Sequence, residues 1–480
     1  MSLHPIMGQS PCVGLRATGT CSVSLRNPTA DPLSYRACCI GAWLSLGVIA
    51  YATLLPFEFR DISLERAWEV YTSIGFQGVT GGNYAQWVAN ILLYTPLGFF
   101  WAAWLTHGVA SRSGQLLIGV LVALIALATT MTIEFLQIWL PVRHPAIADM
   151  SGNFLGGVVG VIGWFALRAP LGRWREHLRV GGDTALGVAL SAYVVAYIGL
   201  ILLPFDLVVS PWAVADRLAS SSFNLWAQSG GCLGDLSCMG FRGAELAASI
   251  PLGLLLALLI PRALREPWRI GLAAALVWAI GLELLNLFVA SGLVEGRSAL
   301  MRAAGIGLGL GAARLVLADA SLLLARLRRW GPLLVAGAAM PYLLLLLLGS
   351  HEFRPYHWNI EEAVKTLETT RLLPFYYHYN VAEVAALRSM LFYLLMYAPM
   401  GLFAWLLALR LRASRNQIAG WAAGAAVVLA LLVEFSTLFT EGGRPDSSTL
   451  VLAGVAAVGM VALLDWFAFA LTRRHRAAPR

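Results

Sequence analysis

Long apolar runs alternate with short polar segments along the whole chain. Each run has about 20 residues, which is enough for a helix to cross a hydrocarbon core about 30 Å thick. The twelve runs lie at residues 38–57, 86–106, 115–140, 150–168, 185–205, 244–264, 268–290, 299–318, 332–349, 387–409, 417–440 and 448–471. Helices are expected because backbone groups in lipid must bond within their own segment, and the alternating pattern of a membrane barrel is absent. The pattern predicts an all-α, polytopic membrane protein.

Composition and charge agree with this class. Hydrophobic residues make up 59% of the chain and charged residues 12%, and the mean hydropathy is +0.72, far from the values of soluble domains. Of the 34 lysines and arginines, 22 fall on one side of the twelve-helix arrangement, which the positive-inside rule makes cytoplasmic. Both termini are then cytoplasmic, with a disordered tail at 1–37 and a basic tail at 472–480. Basic loops beside anionic lipid explain the net charge of +8 without a nucleic-acid partner.

The six cysteines do not form a disulfide scaffold in a chain of this length. Cys232 and Cys238 share the external loop before the sixth run, and they could pair if that loop faces an oxidising compartment. No cofactor or metal site is predicted, because the Walker A and HExxH patterns are absent.

The twelve runs divide into three blocks of four, and similar short motifs recur at corresponding positions of each block. A proline-containing motif recurs in the second run of each block, as YTPLG (94–98), SIPLG (249–253) and YAPMG (397–401). A unit of four helices returns the chain to its starting side, so the copies would be parallel. The sequence therefore predicts three tandem units, at residues 38–168, 169–318 and 332–471.

A glutamate near the end of the third run of each block begins a second recurring series. A polar residue follows three positions later, then an arginine, then a residue at the start of the next run. The sets are Glu134, Gln137, Arg143 and Asp149; Glu283, Asn286, Arg297 and Ser298; and Glu434, Thr437, Arg444 and Asp446. Only the first block is complete, because Glu245 and Tyr393 replace Asn90, while Arg302 and Leu450 replace Asn153.

The first block resembles the VanZ-like membrane proteins, a family named for a teicoplanin-resistance accessory protein. The matching features are NILLYTPLG (90–98), EFLQ (134–137), Arg143 and DMSGNFLGG (149–157). The resemblance implies a bacterial inner-membrane protein of the cell envelope, and some members of the family lower susceptibility to glycopeptide antibiotics. The second and third blocks look like diverged copies that lack parts of the pattern.

The polar residues of the first block are expected to meet in the outer half of the membrane. The candidate pocket consists of Asn90, Glu134, Gln137, Arg143, Asp149 and Asn153. The carboxylates could accept protons or bind a cation, the arginine could pair with phosphate, and the amides could hold polar groups of a ligand. Each of these residues also has a purely structural alternative. The amides could only join helices through hydrogen bonds, Glu134 and Arg143 could form an ion pair that fixes the loop, and Asp149 could be the N-cap of the next helix.

The leading function hypothesis is an envelope protein that binds or modifies a lipid-linked or cell-wall component, with lower glycopeptide susceptibility as the result. The expected partner is a membrane lipid or a lipid-linked envelope precursor. Two alternatives are a transporter or lipid flippase, and a non-catalytic scaffold for envelope enzymes. The aromatic stretch LLPFYYHYN (372–380) indicates either stacking on a glycan or a belt at the membrane interface.

Overall fold

The computed structural model describes residues 33–75, 84–141, 143, 145–202, 208, 211–219, 223–224, 236–259, 267–289, 294–318, 320–351, 355–379, 381, 383–411 and 413–477. Within these ranges the fold is almost entirely helical. Eleven of the described helices are long and apolar enough to cross a membrane. The protein is therefore an all-α, polytopic membrane protein, as the apolar runs predict.

The helices follow one another in three similar groups. The first group is α1 (Tyr35–Leu54), α2 (Leu64–Thr72), α3 (Tyr84–Leu105), α4 (Arg112–Gln137) and α5 (Ile147–Val180). The second is α6 (Gly182–Ile201), α7 (Pro211–Ala219), α8 (Leu236–Leu259), α9 (Pro267–Asn286) and α10 (Gly296–Ala318). The third is α11 (Ala320–His351), α12 (Ile360–Thr369), α13 (Tyr376–Tyr379), α14 (Glu383–Ala408), α15 (Arg415–Thr437) and α16 (Ser448–Ala477).

Each group has a long helix, one or two short helices, and then three further long helices. The first of these three contains the proline of the recurring motif, Pro96, Pro251 or Pro399. Two short strands also pair in parallel, β1 (Phe223–Asn224) with β2 (Val294–Glu295). The three tandem units stay a prediction.

The structure bears on two of the predicted segments, the run at 299–318 and the N-terminal tail. The predicted run at 299–318 forms α10, which is not among the eleven membrane-spanning candidates found within the described residues. Helix α1 begins at Tyr35 because the Ser34 hydroxyl caps it, so the predicted tail is shorter than 37 residues. Residues 1–32 and the side chains of Cys232 and Cys238 lie outside the described part of the chain.

The helices that lead to the buried glutamates have defined starting points. Helix α4 follows Ser111, whose hydroxyl accepts the Gly114 amide at 3.2 Å. Helix α15 follows Ser414, which forms a reciprocal capping box with Gln417. These caps set where each helix enters the apolar region and hence how far along it each glutamate lies.

Glycines allow the proline-containing helix α3, α8 or α14 of each group to pack with its backbone in contact with the last helix of that group, α5, α10 or α16. A Cβ atom at Gly98 of α3 would overlap the Gly157 carbonyl oxygen of α5. The same overlap would occur between Gly253 and the Ile306 carbonyl, and between Gly401 and the Ala457 carbonyl. Small residues at such crossings are what close packing of membrane helices demands.

The third group contacts both of the others. On one side, Ala470 of α16 lies in one apolar cluster with Leu186 of α6 and Leu258 of α8. Arg474 of α16 also pairs with Asp183 of α6 at 2.9 Å. On the other, Arg371 pairs with Glu58 of the first group at 2.8 Å. The chain therefore forms a single set of packed helices rather than three separate bundles.

We predict that Gly98→Ala destabilises the protein, because the added methyl group meets the backbone of α5. The expected loss is about 1–3 kcal/mol, which is typical of overpacking, and it is measured as a lower melting temperature in detergent. Gly47→Ala in α1 is the matched control, since nothing lies within 4 Å of its Cβ position. Equal melting temperatures for the two variants would contradict the proposed helix crossing.

Candidate functional site

Glu134 closes the turn between α4 and α5. Its side chain is buried, with 2% exposure, and its Oε2 accepts the backbone amide of Ala146 at 3.2 Å. Ala146 is the N-cap residue of α5 and has no side-chain cap of its own. The prediction that Asp149 is the N-cap is therefore wrong. Asp149 lies in the first turn instead, where the helix dipole still favours its negative charge.

Asp149 joins α3 to α5. Its Oδ1 accepts a hydrogen bond of 2.9 Å from the Asn90 amide, and the Gln86 amide lies 3.4 Å from both carboxylate oxygens. Sequence reasoning missed Gln86, although its position one turn before Asn90 was a usable signal. The structure thus brings Asn90 and Asp149 together through a direct contact.

Asn153 lies one turn beyond Asp149 and is 3% exposed. Its Nδ2 donates to the Thr130 hydroxyl at 3.0 Å, while its Oδ1 has no hydrogen-bond partner among the described residues. Thr130 in turn lies one turn before Glu134 on α4. Residues of α4 and α5 therefore face each other in two layers. We call the cluster of Asn90, Glu134, Asp149 and Asn153 the Glu134 pocket.

Gln137 does not belong to this pocket. Its Nε2 donates to the backbone carbonyl of Thr53 in α1, at 2.9 Å. It therefore joins two helices through a hydrogen bond, which is the structural alternative that the sequence left open for this residue.

Arg143 lies beside the pocket without closing it. Among the described residues, Arg143 forms no ion pair within 4.0 Å with Glu134 or Asp149. The structural ion pair between Glu134 and Arg143, which was one alternative from the sequence, is therefore not formed. The guanidinium instead lies over the ring of Tyr379, 4.6 Å from its centroid. Arg143 still acts electrostatically on both carboxylates.

The segment 371–379 of the third group covers this end of the first group. Tyr51 donates to the Pro374 carbonyl at 2.6 Å, and Tyr379 carries the Arg143 contact. The same segment is bound to its own group, where the Phe375 amide donates to the Ser448 hydroxyl at 2.6 Å. The aromatic stretch predicted to stack on a glycan or form a belt therefore supplies an internal contact with Arg143.

The second group fills the corresponding position with its own cation. Glu283 accepts the Glu295 amide at 3.1 Å, which repeats the contact of Glu134. The Arg302 guanidinium donates to Glu283 and also pairs with Glu245 at 3.0 Å. Arg242 pairs with Glu245 at 2.8 Å and donates to Glu295 and Ser298. These buried carboxylates therefore have guanidinium partners within the chain.

The third group has the same turn but a different environment. Glu434 accepts the Asp446 amide at 2.8 Å. Asp446 caps the start of α16 by accepting the Ser448 amide at 2.9 Å, and its other oxygen lies 3.5 Å from the buried His378. The neutral Tyr393 stands where the first group has Asn90.

These contacts correct the register of the predicted equivalents. Glu134, Glu283 and Glu434 each accept the amide of the residue 12 positions later, which aligns Asp446 with Ala146 rather than with Asp149. The glycine crossings reach Gly157, Ile306 and Ala457, each 23 positions after its glutamate. By this count, Thr449 stands at the Asp149 position, and Ala453 rather than Leu450 stands at the Asn153 position.

Two predicted arginines do not occupy the place of Arg143. Arg297 is half-buried in the first turn of α10. Arg444 is exposed and lines a separate pocket of about 240 Å³ with Glu362 and Glu441.

The fold and the pocket define a polytopic helical membrane protein with a polar cluster at one end of its first helix group. The VanZ/LLP1 family model matches residues 40–168, which contain nearly all of α1, most of α5 and all six predicted pocket residues. A search of curated proteins and a search of solved structures found no match to the chain. The chain therefore contains a VanZ-like segment of about a quarter of its length.

We predict that Arg302→Met destabilises the protein by about 3–5 kcal/mol, since it leaves the buried Glu283 without its cation and removes one of the two arginines that pair with Glu245. The measurement is thermal melting of the purified protein in detergent. Arg297→Met is the matched control, because it removes a half-buried arginine from the same helix outside the described network. If both variants melt at the same temperature, Arg302 is not the residue that neutralises Glu245 and Glu283.

Proposed function

We propose that this chain is a VanZ-like membrane protein of the bacterial cell envelope whose Glu134 pocket binds or modifies a lipid-linked or cell-wall component. Lower susceptibility to glycopeptides such as teicoplanin is the proposed consequence. One observation carries the proposal. Glu134 and Asp149 lie near each other at the end of membrane helices, and within the described part of the chain no Lys, Arg or His forms an ion pair with either within 4.0 Å.

The physical argument rests on the cost of intramembrane charge. An uncompensated carboxylate in the hydrocarbon region costs about 2.5–3.5 kcal/mol or more, so such a residue is usually paired or functional. The buried carboxylates of the second group have arginine partners within 3.0 Å. In the first group, the hydrogen-bond partners found among the described residues are side-chain amides for Asp149 and a backbone amide for Glu134. A ligand that supplies the missing partner would explain the difference.

The recurring contacts of the three glutamates and of the glycine crossings support three tandem units in one chain. In this proposal, the first unit holds the functional pocket, and the other two are diverged copies whose turns are retained for stability. The positive-inside bias places both termini in the cytoplasm of an inner-membrane protein. The pocket then opens toward the outer side, where lipid-linked wall precursors are used.

The course of the buried positions favours a binding site over a translocation path. Along α5, the buried residues after Asn153 are Gly156, Gly157, Gly160, Val161 and Trp164, and the Trp164 indole is already bonded to the Thr106 hydroxyl at 3.0 Å. Along α4, the buried residues before Thr130 are Ala126, Val122 and Gly119. The polar cluster therefore ends within the helices, whereas a transporter needs polar groups that continue across the membrane.

The proposal predicts a lipid-linked species that co-purifies with the wild-type protein and is lost, or accumulates unprocessed, in Glu134→Ala and Asp149→Ala. Both changes remove an acceptor from the pocket. The measurement is mass spectrometry of the lipids in membranes and in the purified protein, with membrane abundance checked for each variant.

Glu434→Ala is the matched control, because it removes a glutamate with the same backbone contact from the third group. An identical lipid profile in all four proteins would make the Glu134 pocket a structural cluster only. Passage of the species across proteoliposomes would instead favour a transporter.

A further inference from the structure

The second helix group shows what fills this kind of cluster when the chain supplies the partner itself. The Arg302 guanidinium lies between Glu283 and Glu245 and bonds to both carboxylates. Arg302 is 5% exposed, so the cation is held away from water at the end of α9.

In the register set by the glutamate contacts, Asn153 of the first group stands at the position of Arg302. Asn153 follows Glu134 by the same 19 positions by which Arg302 follows Glu283. Its side chain is shorter and uncharged, so it leaves the end of α4 without the cation that α9 has. The unpartnered Oδ1 of Asn153, in a residue that is 3% exposed, marks the gap.

The groups around this gap are mainly acceptors. They are the Glu134 and Asp149 carboxylates and the Asn153 carbonyl, with the buried Tyr94 hydroxyl near Glu134. Acceptors in a buried setting require a donor, and two nearby carboxylates favour a positively charged one. Arg143 does not supply it directly, because Tyr379 holds its guanidinium at 4.6 Å from the ring centroid.

A metal ion is a poorer fit than an organic cation. Among the described residues, no group of three or more His, Cys, Asp and Glu side chains is placed to hold a metal. Calcium binds through six to eight oxygen ligands, and such a shell is not built here. An ammonium group needs only a few acceptors, each of which takes one of its three hydrogens.

We propose that the Glu134 pocket binds the primary ammonium group of an aminophospholipid-type headgroup at the place that Arg302 fills in the second group. Arg143, held by Tyr379 beside the pocket, then pairs with the phosphate of the same headgroup, for which a guanidinium is suited. This inference rests on the proposed function, since it names the chemistry of the ligand for the same pocket.

The test uses the full-length protein in detergent and two lipids with identical acyl chains, phosphatidylethanolamine and its N-acetylated form, which keeps the phosphate but lacks the ammonium. Binding is measured by native mass spectrometry over a range of lipid concentrations. The wild type should bind phosphatidylethanolamine about tenfold or more tightly than the acetylated lipid, as for one lost charge-assisted hydrogen bond.

The decisive variant is Asn153→Arg, which places a guanidinium in the first group as Arg302 does in the second. It should melt no lower than the wild type and lose the preference for the ammonium-bearing lipid. Glu134→Gln should lose the same preference and serves if Asn153→Arg does not fold. Glu434→Gln in the third group is the control and should bind both lipids as the wild type does.

Equal binding of the two lipids by the wild type would overturn the ammonium assignment, as would a folded Asn153→Arg protein that keeps the preference. If another lipid co-purifies and is lost in Glu134→Ala, the proposed function stands and only the ammonium assignment fails. If no lipid responds to any pocket variant, both proposals fail.

Discussion

The architecture depends on buried glutamates that close the turns between long helices. A backbone amide in lipid cannot bond to water, so each turn at a helix end must find its acceptors within the chain. Glu134, Glu283 and Glu434 supply such an acceptor to the amide 12 positions later. This contact sets where the next helix begins. It thereby also sets the glycine crossings that bring this last helix of each group against the proline-containing helix of the same group.

The three groups differ in what balances the glutamate. In the second group, Arg302 and Arg242 neutralise the buried carboxylates through direct ion pairs. In the third group, the residues at the Asn90, Asp149 and Asn153 positions are Tyr393, Thr449 and Ala453, and the second carboxylate near Glu434 is Asp446, which caps α16 and lies 3.5 Å from His378. The first group alone combines two carboxylates with neutral amides. The same turn is therefore stabilised by partners within the chain in the second and third groups. In the first group it leaves acceptors available to a ligand.

The first group's site is completed by the third group. The segment 371–379 bonds to Tyr51, stacks Tyr379 on Arg143 and is anchored to the α15–α16 turn by Ser448. Tyr379 holds the arginine beside the pocket instead of letting it neutralise Glu134. The residues matched by the family model, 40–168, do not contain this tyrosine. The third helix group therefore positions a charge beside the polar cluster of the first group.

The membrane class and the all-α fold could be predicted from hydropathy alone. Spacing within single helices also predicted the recurring prolines and glutamates and the meeting of Asn90 with Asp149. The sequence comparison assigned Asp446 and Leu450 to the wrong equivalent positions, because the turns differ in length. Residue types alone do not reveal which backbone amide a glutamate accepts. The N-cap at Ala146, the guanidinium of Arg302 between two carboxylates, and the contact between Arg143 and Tyr379 were decided by tertiary structure. They join residues that are far apart in the chain or on different helices, and no periodicity encodes such distances.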